Sequence, residues 1–379
     1  MMSEALQIKF GQPSWRVATR AVEAFVTETG GHLGPVTFRI GKQRIQPFAI
    51  APWAAEKTHR NLPAVLKVLR GDFFCLPFGG NEKAFRGEHH PAHGETANAR
   101  WKCESIRADH LHLSLKTRTR SGRVDKHISL RADQTAVYQR HIITRMKGAM
   151  SLGHHAMLQF PDTPGCGRLS TSRFLRGHVA PMPLETSAEC GRSALKSGSA
   201  FRALEKVRTQ DRGWTDLSAY PARRGHDDLV LLETDLRQPL AWTAVTFPAK
   251  RYVWFALKDP RILRQTILWL SNGGRRYAPW NGRHLNLMGL EEVTGYFHYG
   301  LAESARRNPL AAKGALTCHR LQAEQPLVVN YIMAIAAIPT GFDRVASITP
   351  ASDRQSVRLT SHNGSSVQAP VDLDFLGLT

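Results

Sequence analysis

The chain has 379 residues, 22% of them charged and 42% hydrophobic, with 51 Lys and Arg against 31 Asp and Glu for a formal net charge of +20. Usage this close to globular averages excludes an intrinsically disordered chain, and the basic excess reflects too few acids rather than a lysine-rich tail. The five cysteines, Cys75, Cys103, Cys166, Cys190 and Cys318, are scattered without a CxxC pair, which argues against a disulfide framework or zinc ribbon and fits a reducing cytoplasm.

From the N-terminus, Glu4, Lys9, Arg16, Arg20 and Glu23 interrupt the apolar positions of residues 1–25, which disfavours a cleaved signal peptide. Val36, Phe38 and Ile40 then alternate with other residues as a half-buried strand requires. Phe73-Phe74-Cys75-Leu76 reads as a packed run whose thiol is not activated. Gly79-Gly80 opens the densest group of reactive side chains, running from Asn81 through Lys83, Arg86, Glu88, His89, His90 and His93 to Glu95, with Arg100 and Trp101 beyond. Gly87, Pro91 and Gly94 disfavour a helix here, so these side chains project from an irregular connection.

Alternation resumes at Leu111, Leu113 and Leu115, and Gly153-His154-His155 leads into the apolar residues Met157, Leu158 and Phe160. Residues 190–227, rich in Gly, Ser and charge, read as a long surface excursion, with a short helix at residues 202–208. Asp259-Pro260, Asn272-Gly273-Gly274, Asn281-Gly282 and Asn363-Gly364 are turns. Glu291-Glu292 sits between an apolar run and Val293. Residues 301–307 read as a second short helix, stopped by Asn308-Pro309. Residues 328–338 are too short for the ~20 residues of a membrane helix and read as a buried strand. Many strands joined by short turns, without a repeat, imply an all-β sandwich or barrel, taken as one domain over residues 1–379.

Three readings compete for the polar islands. A histidine and a carboxylate from different strands can act as general acid and base on one substrate. His89, His90 and His93, with His154 or His155, can offer imidazoles to a metal, although Pro91 breaks the helix that an HExxH motif needs. In the third reading the loop is solvated and the strand histidines are hydrogen-bonded core residues. No GxSxG, GxxxxGK[ST] or GxGxxG is present, so serine-hydrolase, P-loop and dinucleotide readings lack their anchor. Nucleic-acid binding has only the charge in its favour.

The order of the islands resembles the galactose mutarotase-like superfamily, the aldose 1-epimerases and hexose-phosphate mutarotases. Pro91-Ala92-His93-Gly94 followed by Trp101 is similar to the hexose-phosphate mutarotase pattern, and Gly79-Gly80-Asn81 to the approach to that loop. His155 resembles the second family histidine and Glu291 the late-strand glutamate. The resemblance implies a large antiparallel β-supersandwich with a few short helices. It implies that Glu291 takes the anomeric proton, that His155 protonates the ring oxygen, and that His93 and Arg100 orient the sugar. Asn81, Glu95, His154 and Trp280 complete the implied substrate-binding set, with Trp101 and Tyr277 as further stacking candidates. The implied ligand is a carbohydrate, with no metal, cofactor, nucleic acid or membrane partner. A carbohydrate-binding protein of the same fold without turnover is the alternative.

Some positions depart from the pattern. The arginine usual after His-Gly is replaced by Glu95-Thr96-Ala97-Asn98-Ala99, which leaves phosphate recognition open. His154 stands where asparagine is common, and the family aspartate has only Asp227 or Asp228 as a counterpart. Glu291 and Glu292 face opposite sides of a strand, so either is a candidate base. Lys83, Arg86 and Arg100 are the cations near the loop that bear on a phosphorylated or uronic sugar.

Overall fold

The structure, a computed structural model, describes residues 6–56, 61–182 and 191–378. Two antiparallel sheets dominate. The eight-stranded sheet runs in spatial order through Ala200–Phe201, Phe174–Val179, His226–Thr234, Gln265–Asn272, Leu287–Thr294, Leu152–His154 and Phe74–Cys75, with Ala156–Gln159 also pairing to Leu287–Thr294. The nine-stranded sheet is centred on Ala241–Phe247, Tyr252–Lys258, Leu327–Ala337 and Ala136–Thr144. A five-stranded sheet from Gln7–Lys9 to Gln43–Ile45 precedes them, and a three-stranded sheet, Val345–Pro350, Ser356–Ser361 and Ser366–Pro370, follows.

Successive residues of a strand point to opposite faces, and this period distributes the apolar side chains among three clusters. Val230, Leu232, Leu268, Leu270, Met288 and Leu290 of the eight-stranded sheet meet Val245, Trp254, Val329, Tyr331 and Met333 of the nine-stranded one in the inter-sheet core. Their neighbours Leu229, Leu231, Ile267, Trp269, Leu287 and Val293 face the other way, into a cluster covered by Trp53, Val65, Trp280 and Phe297 from the connections. The outer face of the nine-stranded sheet, with Trp242, Phe255 and Ile332, is covered by Val357 and Leu359 of the C-terminal sheet.

The strand expected at residues 328–338 is Leu327–Ala337, and the second expected helix is Leu301–Ala305. Residues 202–208 are not helical. Residues 202–206 connect the strands Ala200–Phe201 and Val207–Arg208, and the spacing of Phe201, Leu204 and Val207 reflects three side chains entering one core rather than a helix face. Nor do residues 191–226 run free over the surface: Leu195, Leu204, Val207, Leu217 and Tyr220 are all buried in the inter-sheet core. Cys190 lies outside the described residues. Among the described residues no helix is long and apolar enough to cross a membrane.

Candidate active site

On the face of the eight-stranded sheet turned away from the nine-stranded one lies a cavity of about 400 Å³, whose walls include Glu291, His155, His93, Arg275, Trp269 and Trp280. Alternation along Leu287–Thr294 decides which carboxylate enters it. Glu291 faces the cavity, while Glu292 points into the inter-sheet core, ion-paired to Lys258 and accepting hydrogen bonds from Thr266 Oγ1 at 2.7 Å and Thr243 Oγ1 at 2.5 Å. Thr266 stands directly opposite Glu292 in the ladder, so partner and acid share a face by register. Gly289, two residues before Glu291 on the same face, leaves room for it: a Cβ there would come within 2.9 Å of Glu291 Oε1.

His155 Nε2 lies 3.3 Å from Glu291 Oε1. Its ring stacks on Phe73 at 4.5 Å, and its backbone amide donates to the Phe73 carbonyl at 2.9 Å. Burial pushes the Glu291 carboxyl well above the usual carboxylate range, against the opposing pull of Arg275. It likewise holds His155 well below the usual imidazole value, with the nearby His93 adding to the effect. Both shifts follow from desolvation, which disfavours the charged form of either group.

His93 owes its place to the turn in which it sits. The residue has φ 59 and Gly94 follows with φ 76; a Cβ at residue 94 would lie 1.9 Å from the Leu76 carbonyl oxygen. Only glycine permits both that conformation and that approach. The His93 amide donates to the Gly79 carbonyl at 2.6 Å, its ring meets Phe73 and Phe78 edge-on, and its Nδ1 lies 3.4 Å from Cys75 Sγ. Burial lowers its pKa to about 4.

Arg275 closes another wall. Its guanidinium lies 4.4 Å from the Trp280 ring centre and 5.2 Å from that of Trp269, within cation–π range. Behind it Asp227 Oδ2 is 3.8 Å from Arg275 Nε. Asp227 accepts from Ser271 Oγ at 2.8 Å, from the Gly274 amide at 2.8 Å and from the Asn272 amide at 3.1 Å, so it braces the wall from outside the cavity lining. Asp228, the other candidate for the family aspartate, faces away and accepts from Ser193 Oγ and the Leu195 amide.

Of the residues singled out in the sequence, the fold brings His93, His155, Glu291, Trp280 and Tyr277 together at the cavity. Others are placed elsewhere, which corrects the substrate-binding set. His154 points into the inter-sheet core, where its Nδ1 pairs with Asp72 Oδ2 at 2.9 Å and its ring lies against Tyr331. Asn81 ties the loop together, donating to the Gly79 and Pro91 carbonyls and accepting from the Leu301 amide. Glu95 accepts from the amides of Arg118 and Thr119. Arg100 is largely exposed and paired with Glu28 at 2.7 Å. Trp101 is buried in the inter-sheet core, donating to the Thr96 carbonyl. Lys83 pairs with Glu303, and Arg86 borders a separate depression. His90 pairs with Glu88, itself held by Arg120, while His93 turns to Cys75; among the described residues no three metal-binding side chains converge.

Sequence reasoning missed Arg275, Trp269, Phe73 and His298, all of which line the cavity. The turn Asn272-Gly273-Gly274 just before Arg275 is a legible signal, but its aim depends on Asp227 in another strand.

No family model matches the sequence, and no curated protein matches it. Solved structures do. One from Escherichia coli K12 with a provisional aldose 1-epimerase assignment superposes with a TM-score of 0.59 at 13% identity, covering 86% of this chain and 100% of that one. A galactose mutarotase related enzyme from Lactobacillus acidophilus gives 0.56 at 12% identity, covering 86% and 97%. A provisionally assigned aldose 1-epimerase from Klebsiella pneumoniae gives 0.56 at 13%, covering 87% and 82%. The chain adopts the galactose mutarotase-like β-sandwich fold.

Proposed function

We propose that this chain is an aldose 1-epimerase-like isomerase, which interconverts the anomers of a sugar through Glu291 and His155. One observation carries the proposal: a buried carboxylate and a buried imidazole 3.3 Å apart, in an aromatic-walled cavity of about 400 Å³. That volume falls within the range of small-molecule sites.

Burial favours the uncharged form of both groups, so in this reading the proton they exchange rests on the Glu291 carboxyl and His155 Nε2 is bare. Passing that proton to His155 Nε2 creates a carboxylate base and an imidazolium acid in one step. Glu291 then takes the proton of the anomeric hydroxyl while His155 delivers its proton to the ring oxygen. The bond between C1 and the ring oxygen breaks as C1 becomes a carbonyl. Rotation about the C1–C2 bond presents the other carbonyl face, and the same transfers in reverse close the ring as the opposite anomer. Arg275 and His93 face the reacting oxygens and stabilise charge that develops on them. Trp269 and Trp280 offer apolar faces to the sugar ring. The route requires neither metal nor nucleotide.

The test is anomer exchange by NMR or polarimetry with glucose, galactose, glucose 6-phosphate and glucuronate. Acceleration of at least one sugar is expected, and Glu291→Gln should slow it by about 10² to 10⁴-fold, the usual worth of a positioned acid or base. No acceleration across the panel would refute turnover. Binding without exchange would assign a carbohydrate-binding protein instead.

A further inference from the structure

Cys75 lies in the strand Phe74–Cys75, fully buried, on the same side of the sheet as the cavity. Its Sγ is 3.4 Å from Nδ1 of His93. The His93 ring has little freedom to turn away, because Phe73 and Phe78 meet it edge-on at 5.6 and 5.5 Å and the left-handed backbone at residue 93 fixes where the side chain leaves the loop.

We propose that Cys75 is a positioning residue: its S–H donates to His93 Nδ1 and so holds the imidazole as the Nε2–H tautomer, with that N–H available to a substrate oxygen in the cavity. The role in turnover rests on the isomerase reading above; the hold on the ring does not.

The direction of the hydrogen bond follows from the two groups. An imidazole nitrogen with a free lone pair is a much better acceptor than a thiol sulfur, which is a weak donor and a weaker acceptor. The opposite arrangement, Nδ1–H pointing at sulfur, would spend the better donor on the poorer acceptor and turn a bare Nε2 to the cavity. Burial favours the neutral form of both partners, raising the thiol well above its ordinary value and lowering the imidazole to about 4. Neither a thiolate nor an imidazolium competes with the neutral pair near pH 7. A donor aimed at the substrate is what an oxygen gaining negative charge needs, and a neighbour that fixes the tautomer is how proteins secure one.

Long-range ¹H–¹⁵N spectra of the full chain labelled with ¹⁵N-histidine test this without any sugar, His93 being assigned by difference against His93→Gln. The expected wild-type result is a protonated Nε2 and a bare Nδ1 at residue 93. Cys75→Ala should shift the tautomer ratio about fivefold toward Nδ1–H, the hold of one weak hydrogen bond. Cys75→Ser, which keeps a donor on the same carbon, should retain Nε2–H. A wild-type His93 carrying its proton on Nδ1 would overturn the proposal, as would an unmoved ratio in Cys75→Ala; should that variant not fold, the wild-type spectrum decides. An Nε2–H tautomer in a protein that exchanges no anomers would overturn the isomerase reading and uphold the thiol's hold on His93.

Discussion

Asp227 gives a quantitative test of the electrostatics behind the cavity wall. Burial pushes its carboxyl from the ordinary 3.8 up to about 6, in spite of Arg275, the Gly274 and Asn272 amides and the Ser271 hydroxyl, which all pull the other way. An acid that binds its proton more tightly when folded lends stability below its unfolded pKa and loses it as the pH rises through the folded value. Asp227 therefore contributes fully below about pH 4 and ceases to contribute above about pH 6. A shift of roughly two units corresponds to about 3 kcal/mol. Asn at this position resembles the protonated acid in size and does not titrate. Between about pH 4 and about pH 7, the stability of Asp227→Asn relative to wild type should accordingly improve by about 3 kcal/mol. Urea unfolding of both proteins across this range, followed by tryptophan fluorescence, measures it. Taking the difference cancels groups common to both, including His93, His284 and His298, whose depressed values favour the folded state as the pH rises. A flat difference, or one that moves in favour of the wild type, would refute the assignment of a desolvated carboxyl.

Three further outcomes are expected. Gly94→Ala forces a Cβ against the Leu76 carbonyl at a positive φ, and should cost roughly 3 kcal/mol or more in denaturant unfolding; unchanged stability would contradict the geometry of the His93 turn. Lys258→Met leaves Glu292 buried without its cation, and should destabilise by about 3 to 5 kcal/mol; a loss under about 1 kcal/mol would mean that the threonines alone suffice. Arg100→Ala, at a side chain 74% exposed, should change stability by less than about 0.5 kcal/mol and leave sugar affinity by calorimetry unaltered. Weakened affinity would return Arg100 to the cleft.

Period-two patterning made an all-β sandwich or barrel legible in the sequence, and the resemblance to the mutarotase-like superfamily pointed to the Pro91-Ala92-His93-Gly94 turn, His155 and Glu291. The errors share a cause. Asn81, Glu95 and Arg100 lie within or just beyond one reactive loop, but the loop spends Asn81 and Glu95 on its own backbone and neighbouring amides and turns Arg100 to solvent. His154 differs from His155 only in parity, and parity cannot be assigned until strand boundaries are known. Glu291 and Glu292 pose the same problem, decided here by the register that sets Thr266 against Glu292. Arg275 was missed because its orientation depends on an aspartate 48 positions earlier in another strand. The helix assigned to residues 202–208 failed because three-residue spacing also arises when an irregular turn fills a core.

The alternation that separates Glu291 from Glu292 has a practical consequence for protein engineering. Along Gln265–Asn272 and Leu287–Thr294, odd-numbered positions face the side of the cavity, where Trp269 and Glu291 line it and Ile267, Leu287 and Val293 pack beside it, while even-numbered positions such as Leu268, Leu270, Met288 and Leu290 build the inter-sheet core. A combinatorial library confined to the cavity-lining odd positions Trp269 and Glu291 can recast the chemistry of the cleft while every packing partner on the reverse face stays native. One inserted or deleted residue in either strand would exchange the two sets, bringing leucines toward the cleft and, in Leu287–Thr294, turning Glu291 into the core and Glu292 away from its Lys258 partner. Selection for new specificity is thus best carried out by substitution alone in these strands, with length changes reserved for the connections.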